Sequence, residues 1–143
     1  MAVDVLPAEG TQFGDRVRQR LRTEEVVWLT TVGADGAPQP NPVWFLWEGE
    51  TVLVYTRPDA HRLEHIRQRP QVALHFNSDG SGGDIVVIKG TAQIADDEVL
   101  PSNMPAYLDK YAEAMELVVG GVEPFAAQYP VAVRVRLERV RGY

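Results

Sequence analysis

Three prolines alternate along one short stretch of this chain, at Pro38, Pro40 and Pro42. In an extended strand, backbone N–H groups two residues apart point to the same side, and proline has no N–H group to offer. One side of a strand over these residues therefore cannot pair through a full ladder of hydrogen bonds. The pattern predicts an edge strand whose open side is either protected against aggregation or borders a ligand.

A basic turn follows the next apolar segment, where the sequence reads V-Y-T-R-P-D-A-H-R. Arg57, His61 and Arg62 surround a predicted helix start, and Asp59 is the expected N-cap residue. A helix N-terminus with added cations is a favourable seat for a phosphate group. An open strand edge beside such a seat predicts a site for a flat, phosphorylated cofactor.

Length and composition narrow the function classes. A chain of 143 residues fits a single domain over 1–143 with one core. It has no cysteine, which excludes disulfides, thiol catalysis and cysteine-based metal sites. The three histidines, at 61, 65 and 75, do not form a metal-binding HExxH motif, so no metal site is predicted.

Charge and hydropathy further narrow the classes of protein to which this chain can belong. The net charge of −6 argues against a general nucleic-acid binder. No apolar run approaches the ~20 residues that a membrane span requires, and the first ten residues lack the build of a signal peptide. These observations favour a cytoplasmic protein.

Periodicity predicts mainly β structure with flanking helices. Six strands are expected, over residues 26–32, 38–47, 51–56, 72–76, 85–94 and 131–140. Helices are expected from Thr11 to about Arg22, from Asp59 through Arg69 and from about 104 to 119, with one further helical turn over 124–128. Gly90 inside the fifth strand predicts a bulge or a close backbone approach. Short connections between antiparallel strands fit a small closed or nearly closed barrel.

Several side chains have more than one interpretation. Trp44 and Trp47, three apart on one predicted strand, should lie on opposite faces, one in the core and the other at an interface or a substrate pocket. Tyr107 and Tyr111 lie one helical turn apart, either as packing residues or as pocket walls. His65 is expected on the helix surface.

Three segments together resemble a known family. They read A-D-G-A-P-Q-P-N-P-V-W-F, V-Y-T-R-P-D-A-H-R-L-E-H-I-R-Q-R-P-Q-V-A-L-H-F and I-V-V-I-K-G-T-A-Q-I. Their order over roughly residues 11–143 resembles the split β-barrel flavoprotein superfamily, whose best-known members are the pyridoxamine 5′-phosphate oxidases. The chain is most similar to the actinobacterial branch of F420H2-dependent reductases. The oxidase branch carries Arg-x-x-Leu-Leu-Lys at the second strand, where this chain reads P-V-W-F-L-W, so pyridoxamine phosphate is not the expected substrate.

The resemblance implies a six-stranded split β-barrel, a homodimer with cofactor sites at the subunit interface, and coenzyme F420 as the cofactor. The activity it implies is hydride transfer from the reduced deazaflavin to an electrophilic small molecule, which requires no catalytic side chain. Tyr55, Thr56, Arg57 and Pro58 would approach the cofactor phosphate, with His61 and Arg62 beside them. The tricyclic ring would lie along Gln39, Pro40, Asn41, Pro42 and Val43. Lys89 is a further candidate for the anionic tail.

Two alternatives stay open. An FMN-dependent oxidase or reductase would share the fold, and a closed pocket would favour it, whereas a basic groove leading from Arg57 and Arg62 would favour the acidic tail of F420. The second alternative is a non-catalytic module that stores or senses F420, FMN or haem.

Overall fold

The computed structural model describes residues 5–143. It contains seven strands: β1 (Val27–Val32), β2 (Pro38–Val43), β3 (Leu46–Glu48), β4 (Thr51–Thr56), β5 (Gln71–His75), β6 (Val86–Ile94) and β7 (Val131–Gly142). Four α-helices accompany them: α1 (Gln12–Thr23), α2 (His61–Gln68), α3 (Pro105–Val119) and α4 (Val122–Gln128). A single 3₁₀ turn at Pro101–Asn103 precedes α3. The predicted class, mainly β with flanking helices, is confirmed.

The strands form one antiparallel sheet in the order β2-β1-β5-β6-β7-β4-β3. The proline-containing strand β2 is an edge strand, as its sequence predicts, and residues 38–42 in it are exposed. Pro38, Pro40 and Pro42 lie opposite Val32, Thr30 and Trp28 of β1. Gly33 N–H donates to the carbonyl oxygen of Ala37, so the residues that alternate with the prolines face β1, and the missing proline donors on the open side leave no gap in the ladder.

The sheet has one more strand than expected because the segment 38–47 is not a single strand. It breaks at Trp44 and Phe45, which connect the two opposite edges of the sheet, β2 and β3. Two residues span only about 10 Å even when fully extended, so the sheet must curl until its edges nearly meet. This short connection, Trp44–Phe45, is called the seam below, and it makes the barrel a split one.

Side chains from α3 satisfy the backbone of the seam. The hydroxyl of Tyr111 accepts a hydrogen bond from Phe45 N–H at 2.9 Å. It lies 2.7 Å from the carbonyl oxygen of Glu25 and 2.9 Å from that of Phe45, either of which can accept its single proton. Lys110 Nζ donates to the Phe45 carbonyl at 2.8 Å. Backbone groups that lack a ladder partner are thereby paired inside the protein.

The seam also divides two apolar clusters. Phe45 is fully buried in the barrel core and contacts Phe76, with ring centroids 5.8 Å apart. Its neighbour Trp44 instead packs in a second cluster beneath α3 and α4. Strand β4 is covered on both faces, with Val52 and Val54 in the barrel core and Leu53 and Tyr55 in the second cluster.

The pairing of β6 with β7 is irregular at Gly90, where the sequence predicts a bulge or a close backbone approach; the extra residue is Glu138 of β7, because Lys89 pairs with Arg139 and Gly90 with Leu137. The register against β7 shifts between Lys89 and Gly90. A Cβ atom at Gly90 would lie 2.6 Å from the carbonyl oxygen of Arg136 and 2.8 Å from Val135 Cγ1. Only glycine lets the two backbones approach this closely.

Gly90→Ala should therefore destabilise the fold. We expect the free energy of unfolding to fall by about 1–3 kcal/mol, because the added methyl group must displace backbone as well as a side chain. Urea denaturation followed by circular dichroism measures the difference. Gly33→Ala tests whether backbone crowding is the cause, since a Cβ atom at Gly33 would meet only side-chain atoms, the nearest being Asp35 Oδ1 at 3.2 Å. Equal losses in the two variants would contradict the steric explanation.

The helices depart from expectation in two details. Asp59 does not cap α2; Ala60 occupies the N-cap position without a side-chain hydrogen bond, and the Asp59 carboxylate lies 3.5 Å from Arg57 Nε. The amphipathic sequence of α1 predicts solvated arginines opposite its apolar stripe, but Arg18 and Arg20 are buried. Arg20 donates to the carbonyl oxygens of Asp84 and Asn77, so α1 anchors the glycine-rich loop between β5 and β6.

Candidate functional site

A cavity of about 410 Å³ opens between the ends of β2 and β4, the start of α2, and helices α3 and α4. We call it the aromatic cavity. Six residues predicted to contact a cofactor line it: Pro42, Val43, Tyr55, Thr56, Arg57 and Arg62. The remaining lining residues are Trp44, Ala60, Tyr107, Val118, Val119, Phe125 and Tyr129. The chain thus brings the end of the proline strand and the basic turn to one place.

Other predicted residues lie outside this cavity. Gln39, Pro40 and Asn41 are exposed along the open edge of β2. Pro58 and His61 are exposed beside the basic turn without lining the cavity. These five side chains flank the cavity without closing it.

Lys89 lies in a different place. It lines a separate depression of about 440 Å³ on the outer face of the sheet, together with Ala73, Val87, Arg139 and Arg141. The two cavities share no lining residue. Lys89 is therefore not brought together with Arg57 and Arg62 within one chain.

Arg62 is the principal electrostatic feature of the aromatic cavity. Its side chain is half-buried, and burial lowers the pKa of its guanidinium, an effect that the nearby Tyr129 opposes. Nη1 donates to Thr56 Oγ1 at 3.3 Å. Among residues 5–143 it has no carboxylate partner, and no lining residue is acidic. A half-buried, unpaired guanidinium is costly unless an anion joins it.

Arg57 provides a second, more exposed cation. Its guanidinium lies over the ring of Tyr129, 5.8 Å from the ring centroid. Its ion pair with Asp59 is long and solvent-exposed, with both side chains more than half accessible. Such a pair is weak, so Arg57 can turn towards an anion at the cavity mouth with little cost.

The inner walls of the cavity are aromatic. For two of their residues, Trp44 and Tyr107, the sequence left both a packing role and a pocket role open. Trp44 stacks on Tyr111, with ring centroids 4.7 Å apart and planes 4° apart. Trp44 also stacks on Phe125, with ring centroids 5.2 Å apart. Phe125 in turn stacks on Tyr129, with centroids 4.6 Å apart. The result is a row of four nearly parallel rings. The expectation that Trp44 and Trp47 share one strand is wrong, because the seam separates them.

Helix α4 and Tyr129 were missed as site elements. A usable signal was present, because Phe125 and Tyr129 are four residues apart and follow the double glycine that ends α3. Val118, at helical spacing from Tyr107 and Tyr111, is a further lining residue, although it is 68% exposed at the end of α3.

Three tyrosines around the cavity have perturbed phenols. Burial, assisted by Glu98, raises the pKa of Tyr55 to about 12. Burial also raises the pKa values of Tyr107 and Tyr111 well above the ordinary range. Their hydroxyls therefore remain neutral hydrogen-bonding groups at physiological pH.

This shift predicts a delayed tyrosine titration. The neutral phenols contribute stability that is fully present below the unfolded pKa of about 10 and is lost as pH rises through about 12, because the unfolded chain ionises first. We expect Tyr55, Tyr107 and Tyr111 to contribute no phenolate absorbance at pH 10 in the folded protein, and to appear together with unfolding. Ultraviolet absorbance and circular dichroism over the same pH series test this. Ionisation of all five tyrosines with a midpoint near pH 10 while the fold is intact would contradict it.

Two histidines have structural contacts away from the cavity. His65 was expected on the helix surface, but it is half-buried, with Nδ1 2.9 Å from Thr31 Oγ1. His75 stacks on Trp28 with a 6° interplanar angle. No histidine lines the aromatic cavity.

The sequence matches a known protein family over most of its length. The family model described as Pyridoxamine 5′-phosphate oxidase matches residues 13–143. The chain belongs to this family. The family includes oxidoreductases and binds flavin-type cofactors, and the fold predicted from the sequence is the fold of this family. No curated protein matches the chain.

Solved structures of similar shape span several named functions. An F420 reductase matches with a TM-score of 0.67 and 20% sequence identity, over 94% of this chain and 98% of that chain. The General Stress Protein 26 from Bacillus anthracis gives 0.66 and 17%, over 88% and 89%. The heme storage protein HutZ from Vibrio cholerae gives 0.63 and 15%, over 92% and 95%. At these identities the likeness shows the fold alone.

Residues 5–143 contain neither a membrane-spanning helix nor a metal-binding cluster. None of the helices in that range is both long and apolar enough to cross a membrane. Nor do three or more His, Asp or Glu side chains in it come together in a group that could hold a metal ion.

Proposed function

We propose that this protein is an F420H2-dependent reductase that uses the aromatic cavity to hold its cofactor and reduce an electrophilic small molecule. The observation that carries the proposal is Arg62, a half-buried guanidinium without a carboxylate partner in the wall of an aromatic cavity. A phosphate would supply the missing negative charge, and the fork of the guanidinium suits phosphate oxygens.

The residues present fit such a cofactor. A cavity of about 410 Å³ is within the usual range for small-molecule sites. Arg62, Thr56 and Arg57 would hold the phosphate at the end of β4. Pro42 and Val43, at the end of the open-edged strand, would lie against the planar ring.

The chemistry itself would come from the cofactor, because a reduced deazaflavin supplies a hydride from a ring carbon. The protein's own task is then placement and exclusion of water. The stacked rings of Trp44 and Phe125 provide rigid apolar walls for that task. None of the described residues that line the cavity is acidic, and its hydroxyl groups come from Thr56, Tyr55, Tyr107 and Tyr129.

The choice between F420 and FMN depends on the cavity mouth. F420 has an acidic tail that FMN lacks, and the exposed Arg57 and His61 at the basic turn would meet it. FMN remains the second candidate, because the family binds flavin-type cofactors. Haem is the weakest candidate, since no histidine lines the cavity.

The test is a titration of F420 and of FMN into separate samples of the protein, followed by fluorescence polarisation. We expect F420 to bind, and reduced F420 to be oxidised faster when the protein and an activated alkene acceptor are both present. Tight FMN binding without F420 binding would replace the proposal with the flavin alternative. F420 binding without turnover on any acceptor would favour a storage or sensing module.

We also propose that residues 1–143 act as one domain and associate as a homodimer with the cofactor sites at the interface. Leu117 and Val118 near the end of α3 support this, because they are 83% and 68% exposed and Val118 lines the cavity, so a second copy would cover apolar surface beside the site. Light scattering on the purified chain tests it. A monomer at micromolar concentration, with or without F420, would overturn it.

A further inference from the structure

One buried hydroxyl near the first turns of α3 has no partner. The side chain of Tyr107 is fully buried, and its oxygen makes no hydrogen bond among residues 5–143. Tyr111, one helical turn later and equally buried, has its hydroxyl fully paired at the seam. Folded proteins rarely leave a buried hydroxyl unpaired, so the difference between these two tyrosines requires an explanation.

Tyr107 is also a wall residue of the aromatic cavity. Tyr55 contacts its ring edge-to-face, with centroids 4.9 Å apart. The ring of Tyr111 lies at a tilt to it, with centroids 4.8 Å apart. Phe125 lies on a further side at 6.1 Å. A ring fixed on three sides cannot swing to find a protein acceptor, so the acceptor must come to the hydroxyl.

The surroundings define what kind of ligand can do this. Trp44, Phe125 and Tyr129 form nearly parallel ring walls, which suit a planar, apolar body. The cations Arg57 and Arg62 belong to the β4 end of the cavity, whereas Tyr107 comes from α3. The cavity therefore combines a site for an anion with a separate neutral donor.

We propose that the Tyr107 hydroxyl is a specificity-determining donor that binds an acceptor atom, a carbonyl oxygen or an aromatic nitrogen, on the edge of a planar conjugated ligand. This inference deepens the proposed function, on which it rests, by naming the residue that selects the ligand. The buried phenol stays neutral, so it donates to an uncharged acceptor throughout the physiological pH range. The acceptor atom belongs either to the molecule being reduced or to the cofactor ring, and the test separates these two sources.

The test compares Tyr107→Phe with wild type, using two probes that share a bicyclic skeleton. 1-Indanone carries a carbonyl oxygen, and indane does not. We expect Tyr107→Phe to weaken 1-indanone binding by about fivefold, the usual strength of one hydrogen bond, and to leave indane binding unchanged. Ligand-observed NMR, with the cofactor-free and the F420-loaded protein, measures both. A loss of F420 affinity without a loss for 1-indanone assigns the acceptor atom to the cofactor.

Stability distinguishes recognition from packing. Because the hydroxyl has no partner in the ligand-free protein, Tyr107→Phe should raise the midpoint of thermal unfolding, by about 3 °C. Tyr143→Phe is the matched control, since Tyr143 is exposed and remote from the cavity lining. The proposal is overturned by unchanged affinities for 1-indanone and F420, by equal losses for indanone and indane with F420 affinity unchanged, or by failure of wild type to bind 1-indanone together with an unchanged F420 affinity. None of the indanone outcomes depends on whether F420 is the true cofactor.

Discussion

Replacing Arg62 by glutamine will lower the affinity for the phosphorylated cofactor by about 100-fold. Hydrogen bonds to a charged group contribute about 1.5–3 kcal/mol each, and a guanidinium can make two to one phosphate. Loss of two such bonds at the lower value is about 3 kcal/mol, or a factor of about 100. Fluorescence polarisation with F420, and with FMN in parallel, gives the number.

The same replacement should leave folding almost unchanged. The only hydrogen bond that Arg62 makes with residues 5–143 is the 3.3 Å contact with Thr56. Arg67→Gln is the matched control, because Arg67 lies on the same helix, is 56% exposed and is paired with Glu64. If both variants weakened binding equally, the effect would be general electrostatics and the assignment of Arg62 would fail.

Replacing Tyr111 by phenylalanine will lower the free energy of unfolding by about 2–4 kcal/mol. The substitution removes one oxygen, but that oxygen is the acceptor for Phe45 N–H and the donor to a carbonyl of Glu25 or Phe45. A buried donor left without an acceptor costs about 1–3 kcal/mol, in addition to the hydrogen bond lost by the carbonyl. Urea denaturation followed by circular dichroism measures the loss.

Three tyrosine-to-phenylalanine variants make this prediction specific. Tyr111→Phe should destabilise the protein, Tyr107→Phe should stabilise it, and Tyr143→Phe should have little effect, although the chemical change is identical. The order follows from the partners that each oxygen has among residues 5–143: backbone groups of Glu25 and Phe45 for Tyr111, none for Tyr107, and one exposed carbonyl, that of Gly82, for Tyr143. A destabilisation by Tyr107→Phe as large as that by Tyr111→Phe would contradict the assignment of both.

Local sequence patterns predicted most of the sheet. Proline alternation indicated the edge strand, and Gly90 indicated the close approach of β6 to β7, because each is a backbone restriction that acts within a few residues. The seam was not predictable in this way. Residues 43–47 are uniformly apolar, so periodicity does not reveal that Trp44 and Phe45 leave the strand and pack in different clusters.

In the candidate site too, residues close together in the sequence were predictable and contacts that depend on the tertiary fold were not. Arg57 and Arg62 follow one strand directly, so their proximity to each other and to Tyr55 was foreseeable from the sequence. The contribution of Phe125 and Tyr129 was not, since it depends on how α4 folds back after Gly120 and Gly121. The isolation of Lys89 is likewise a consequence of its position on the outer face of β6, which strand order determines.

The seam gives this protein an uneven tolerance to change. Two consecutive side chains serve opposite tasks, since Phe45 completes the barrel interior while Trp44 forms a wall of the aromatic cavity. A shift in the backbone at this dipeptide would therefore disturb folding and ligand shape at once. Diversification of ligand preference should accordingly proceed through α4 and the end of α3, where Val118 and Phe125 can vary while the strand edges stay joined.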